Sequence, residues 1–216
     1  MLTTILSNNA LFESVKVFVK EYMQRFDASH DFKHIERVVA MAHHILTRES
    51  AAIADFRYDS DAVYLAALLH DVGDHKYLRR DENTENQIAE CLLERGASSD
   101  LAMKVQTIAE NVSYSKEAKD PLATQAILRQ HPELAIVQDA DRIDAIGAVG
   151  IARVFTYGGA KAADRGLEGS IQHFGEKLEK LEGMMKTDTG RIIAQERTQR
   201  LQLFKSWWDE ENKLIE

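Results

Sequence analysis

The sequence predicts an all-α fold built as a single helical domain. Three observations carry that prediction. Apolar residues recur mostly every three to four positions, which is the helical period. Only two prolines interrupt the chain, at 121 and 132. No alternating apolar–polar pattern of more than a few residues marks a strand, whereas the strong helix formers Ala, Leu, Glu, Lys and Gln are abundant.

The elements follow in order. Leu11, Val15, Phe18, Tyr22 and Phe26 form one apolar stripe. Ile35, Val39, Ala42 and Leu46 form a second, with His34 beside its core-facing positions. The run "AVYLAALL" reads as buried helix, opened by Ser60 or Asp61 as cap and stopped by Gly73 just after His70-Asp71. Gly96 closes the segment holding Cys91, and "SSD" at 98–100 opens the next. Asp120-Pro121 supplies an N-cap with Pro at the first helical position. Asp139, Asp141 and Asp144 fall in "IVQDADRIDAIGAVGIARVF", at or near the start of another helix whose Gly and Ala content permits close approach. Trp207 and Trp208, in a charged tail, read as packing residues. No repeat or low-complexity linker divides the 216 residues, so residues 1–216 are expected to form one domain.

Composition excludes several classes of function. A net charge of −8 argues against a general nucleic-acid binder, and an anionic substrate would need local positive charge. The single cysteine, Cys91, rules out a disulfide framework and a thiolate metal cluster and fits a reducing cytoplasm. No basic n-region precedes an apolar run, and no window approaches about 18 uninterrupted apolar residues, so neither a signal peptide nor a membrane span is expected.

The chemistry sits in the titratable residues. His34, the pair His70-Asp71 and the Asp139/Asp141/Asp144 group place imidazoles and carboxylates on three separate helices in apolar surroundings. An unpaired buried carboxylate costs several kcal/mol, so such groups are paired or bound to a cation. One divalent ion would satisfy His34, His70, Asp71 and Asp141 together. Two nitrogens and two oxygens suit manganese first, with iron, cobalt, zinc or nickel as alternatives and magnesium a poorer fit. Asp139 and Asp144 read instead as capping groups or partners of Arg142 or Arg153.

The order His34, then His70-Asp71, then Asp141 resembles the H…HD…D signature of the HD-domain metal-dependent phosphohydrolases. The words "SHDFKHIERV", "LLHDVGDHK" and "QDADRIDAIGAVGIARVF", with "HFGEKLEKLEGMM" and "TDTGRIIAQER" further on, are similar to those of small single-domain bacterial members, from about residue 26 to residue 204. The resemblance implies an all-helical domain with a metal-site core at about 26–160 and C-terminal helices at about 168–214. It implies His34, His70, Asp71 and Asp141 as ligands of one divalent metal.

Where HD nucleotidases carry an acidic residue three positions after the HD aspartate, this chain has Asp74, which the resemblance implies would orient or deprotonate the attacking water. Lys76 resembles the subgroup's basic residue beyond it, which would hold a phosphate oxygen. His30 would donate to phosphate or support the metal ligands if the helix includes it, and would be a loop residue if Asp31 is the N-cap. Arg142, Lys177 and His173 would add positive charge to the pocket. The turn "NVSYSK" at 111–116 would contact phosphate or sugar, or simply end a helix. His43 and His44 match no motif position. His75 and His131 give little basis for a second ion.

The activity implied is hydrolysis of (deoxy)nucleoside triphosphates to monophosphate and pyrophosphate by metal-activated water. The alternatives are a nucleoside 5′-monophosphatase, a cyclic-nucleotide phosphodiesterase or a non-catalytic nucleotide sensor. The partner is a small phosphorylated molecule, a nucleotide, with no nucleic acid or membrane, and the protein is a monomer or homodimer.

Overall fold

A helix that is apolar on every side has to be surrounded, and α3 (Ser60–Leu69) is: every residue from Ala62 to Leu69 is buried. Around it pack α1 (Asn9–Tyr22), α2 (Phe32–Ala52), α5 (Ser99–Glu110) and α8 (Glu133–Asp144), with α4 (Gln87–Glu94) against α5. These helices come from a computed structural model that describes residues 9–26, 28–52, 57–73 and 86–213. The short helices α6 (Tyr114–Lys119) and α7 (Pro121–Gln130) lead into α8. Then α9 (Gly147–Lys161), α10 (Gly166–Glu176) and the long α11 (Asp188–Asn212) close one side. No strand occurs among the described residues, as the sequence period predicts. Nor is any helix among them long and apolar enough to cross a membrane.

The buried residues form one continuous cluster reaching from Leu11 in α1 to Leu201 in α11. The stripe Leu11, Val15, Phe18, Tyr22, Phe26 faces it, and so does Ile35, Val39, Ala42, Leu46. The C-terminal helices are joined by aromatic rings. Phe155 of α9 lies 6.4 Å from Phe174 of α10, 5.9 Å from Phe204 and 6.2 Å from Trp208 of α11. Trp208 therefore packs as expected, whereas Trp207 is an exposed large apolar side chain.

Helix ends follow local chemistry. The Ser98 hydroxyl accepts from Leu101 N–H at 3.3 Å and the Asp120 carboxylate from Ala123 N–H at 3.0 Å, the caps read from the sequence. The cap of α3 is one residue earlier than expected. Asp59, in extended conformation, accepts from Ala62 N–H at 3.1 Å, because Ser60 is already helical. Lys104 bridges Asp59 and Glu133 at 3.2 and 2.9 Å, so this cap also ties α3 to α5 and α8.

The aspartate-rich segment differs more. Asp139, Asp141 and Asp144 lie in the last two turns of α8, not at a helix start. The helix breaks at Ala145–Ile146, and α9 begins at Gly147 with a positive φ of 72°. Gly150 then comes so close to the α8 terminus that an added Cβ would sit 2.2 Å from the Ala145 carbonyl oxygen. Backbone cannot yield there as a flexible side chain would. Gly150→Ala is expected to cost about 2–3 kcal/mol and lower the melting temperature by roughly 5–10 °C, measured by calorimetry.

Candidate metal centre

Three helix ends converge at one point. Asp31 caps α2: its carboxylate accepts from His34 N–H at 3.2 Å and sets His34 in the first turn, with a side chain 1% exposed. His70 follows the last residue of α3, and its Nδ1–H donates to the Ala67 carbonyl at 3.0 Å. Asp71 comes next, before Gly73 turns the chain with φ 79° and donates its N–H to the Tyr22 hydroxyl at 3.0 Å. Asp141 enters from the end of α8.

The donor atoms of His34, His70 and Asp141 all lie within 4.8 Å of one another. His34 Nε2 is 3.2 Å from His70 Nε2, 3.4 Å from Asp71 Oδ2 and 3.5 Å from Asp141 Oδ1. His70 Nε2 is 3.5 Å from Asp71 Oδ1 and 3.6 Å from Asp141 Oδ1.

Hydrogen positions follow from the partners. His34 Nδ1 faces Asp144 Oδ2 at 2.8 Å, so that nitrogen carries the proton, and His70 Nδ1 carries one for the Ala67 carbonyl. In the neutral rings both Nε2 atoms are then bare lone pairs facing two carboxylates. Among the described residues, Asp71 Oδ2 is buried with no hydrogen-bond partner. A set of acceptors with no donor among them requires a cation, and imidazoles whose other nitrogen is held by a carboxylate or a carbonyl are arranged as metal ligands are. The residues present therefore fit a divalent metal ion.

The electrostatics agree. Burial opposes charge on all three groups, but mutual attraction overrides it. The carboxylates of Asp71 and Asp141 raise His70 from 6.5 to about 9, and in turn His70 and His34 hold both carboxyls far below the usual range. Without an ion, a proton on His70 supplies the missing positive charge.

Beside this cluster opens a cavity of about 270 Å³. His30 lines it from the loop before α2, its ring edge-on to His34 with centroids 5.9 Å apart. Of the two placements open in the sequence, the loop holds, because Asp31 is the cap. Burial pushes His30 down to about 4, only partly offset by Asp71, so it faces the cavity neutral. His173 and Lys177 also line the cavity. Burial also lowers His173, followed by the charge of Lys177, whose Nζ lies 5.0 Å over the Tyr114 ring. The segment 111–116, which the structure resolves into the end of α5 and the start of α6, contributes Ser113, Tyr114 and Ser115.

Arg142 is a correction. It does not line the cavity: its side chain is 1% exposed, and its guanidinium donates to Glu117 at 2.6 Å and to the Met184 carbonyl at 3.1 Å. It lies one residue past Asp141, about 100° around α8, and faces α6 and the short turn that precedes α11 instead. Arg153 of α9, which the sequence offered as a partner for Asp139 or Asp144, does pair with Asp144 and also lines the cavity as a cation beside Lys177; Tyr157, one turn on, was missed altogether. Asp139 binds Lys186 N–H, Thr187 N–H and the Thr187 hydroxyl, capping a neighbouring segment as one reading had it. His43 bonds Tyr64 at 2.7 Å, and His131 does not line the cavity. Asp74, His75 and Lys76 lie outside the described residues.

Comparison with known proteins places this geometry. A sequence profile of the HD domain matches residues 31–146, a span that includes His34, His70, Asp71, Asp141 and Asp144. YpgQ of Bacillus subtilis (strain 168), an uncharacterized protein, is 36% identical over 192 residues, 86% of this chain and 85% of that protein. The crystal structure of Bacillus subtilis YpgQ in complex with ADP is similar with a TM-score of 0.73 at 31% identity, covering 93% of this chain and 97% of that one. An HD-superfamily hydrolase of Bacillus thuringiensis is similar with a TM-score of 0.57 at 30% identity, covering 93% and 95%.

A metal must displace the His70 proton, so affinity depends on pH. Apparent affinity for Mn²⁺ is expected to rise by about tenfold per pH unit up to about pH 9, with near one proton released per ion at pH 7. Calorimetry in buffers of different ionisation enthalpy measures both. Stability of the metal-free protein runs the other way. The contribution of charged His70 is complete below its ordinary 6.5 and disappears as pH rises through about 9.

Proposed function

The chain belongs to the HD-domain family of metal-dependent phosphohydrolases, and from that premise we propose that it cleaves nucleoside triphosphates to the monophosphate and pyrophosphate. Residues 1–216 act together as one cytoplasmic enzyme of this type. The observation that carries the reading is the meeting of two imidazole nitrogens and two carboxylates at a point where a proton or a metal cation must supply the positive charge. His34, His70, Asp71 and Asp141 are the ligands, and manganese is the first candidate among transition ions for this mixed nitrogen and oxygen set. Bound there, the ion supplies Lewis-acid polarisation of the phosphoryl group and acidifies water.

The protein's own groups do the rest. Arg153 and Lys177 give the cavity the local positive charge that a chain of net charge −8 otherwise lacks. Neutral His30 and His173 exchange hydrogen bonds with phosphate or sugar oxygens rather than adding charge. Tyr114 and Tyr157 offer aromatic surface to a base. ADP bound to the similar YpgQ supports a nucleotide as ligand class. Asp74 positions the attacking water and takes its proton, and Lys76 steadies a phosphate oxygen; both are assigned from the motif. Attack at the α-phosphorus forms a bond from water oxygen and breaks the bond to the bridging oxygen, and pyrophosphate leaves.

Asp71→Asn is expected to lower bound Mn²⁺ measured by elemental analysis and to reduce turnover on the order of a thousandfold, while far-UV circular dichroism is unchanged. Phosphorus NMR of the wild-type reaction with a triphosphate should show pyrophosphate; release of orthophosphate alone would replace this reading with that of a phosphatase. Lys177→Ala should raise KM for the triphosphate by about tenfold and leave kcat nearly unchanged, because that side chain lines the cavity outside the metal cluster and binds ground and transition states alike. Steady-state kinetics at saturating Mn²⁺ separates the two parameters.

A further inference from the structure

Asp144 is buried, and neither the metal ligation nor the substrate contacts account for it. Its surroundings are unlike those of Asp139, five residues earlier, which among the described residues accepts from backbone amides and a hydroxyl next to α11. Asp144 Oδ2 accepts from His34 Nδ1 at 2.8 Å, Arg37 Nη2 at 3.0 Å and Arg153 Nη1 at 3.0 Å, and its Oδ1 accepts from Arg37 Nε at 2.7 Å. Three N–H groups crowd one oxygen, which leaves no room for a hydroxyl hydrogen, so the proton between Asp144 and His34 belongs to the ring. Arg153 continues the chain by donating Nε–H to the Ser29 carbonyl at 2.8 Å, beside His30.

The two histidines are therefore held differently. His70 is oriented by the backbone carbonyl of its own helix, which no side-chain change can remove. His34 depends on a side chain, and that side chain is fixed by arginines from α2 and α9. We propose that Asp144, clamped by Arg37 and Arg153, is a positioning residue that holds His34 in one tautomer with Nε2 aimed at the cation, and so sets the affinity of the site for its ion. The inference rests on the metal-site reading given above. A purely structural ion-pair hub would affect melting temperature without touching tautomer or ion affinity.

The test uses the full-length chain, stripped of metal and titrated with Mn²⁺ by calorimetry, with ¹⁵N-histidine NMR on the stripped protein. In Asp144→Asn the amide must turn an NH₂ toward some of the four donors, so the clamp is lost with little change of volume. Expected are a Kd for Mn²⁺ raised ten- to a hundredfold and a His34 signal that changes from a single Nδ1–H tautomer to a mixture. Arg37→Gln, at a side chain 38% exposed, removes one half of the clamp and should raise Kd several-fold. If Asp144→Asn does not fold, Arg37→Gln decides. Unchanged Kd and an unchanged tautomer in the folded variants overturn the inference and leave the function intact. A wild-type chain that takes up no Mn²⁺ overturns the functional reading, and the inference falls with it.

Discussion

Two imidazole nitrogens that both present lone pairs cannot remain 3.2 Å apart inside a protein unless positive charge lies between or upon them. That constraint governs the rest of the structure. A proton on His70 meets it in one state and a divalent ion meets it in the other, and the two carboxylates beside the rings favour either cation. The partners on the remote nitrogens, Asp144 and the Ala67 carbonyl, prevent the rings from escaping by changing tautomer. The cluster is thus preorganised for a cation by groups that never contact it.

The helices are arranged to make such a concentration of polar groups tolerable. α3 is apolar on all sides and delivers His70 and Asp71 only after its last turn, where Gly73 lets the chain leave. α2 delivers His34 in its first turn, where a capped helix start is still open on one side. α8 delivers Asp141 near its end, just before the break at Ala145–Ile146. Each group comes from a helix terminus, where backbone geometry can accommodate polar chemistry, with the hydrophobic cluster packed behind them and the cavity in front, where the Asp141 side chain is 27% exposed.

The helical period, the stripes on α1 and α2 and the caps at Ser98 and Asp120 were legible in the sequence because they depend on neighbours a few residues apart. The convergence of His34, His70, Asp71 and Asp141 was legible because apolar flanks made their polarity costly. Partner choice across the fold was not. Arg142 and Arg153 are both arginines near the same motif, yet one lies buried against Glu117 and the other lines the cavity. What separates them is the break between α8 and α9, which depends on Gly147 taking a positive φ and Gly150 closing on Ala145, and neither is a property of any short word. The cap of α3 slipped by one residue for a similar reason, since Asp59 is held from outside by Lys104 and Glu133.

The three aspartates of α8 divide their tasks by angle. Asp139 binds the segment leading into α11, Asp141 faces the cation cluster, and Asp144 meets the arginines of α2 and α9. Because each is aimed by its place around one cylinder, α8 can change its composition but not its phase. A single inserted or deleted residue in that helix would rotate whatever follows by about 100° and misdirect more than one of these carboxylates together, so length variation in this region has to fall in the connecting turns.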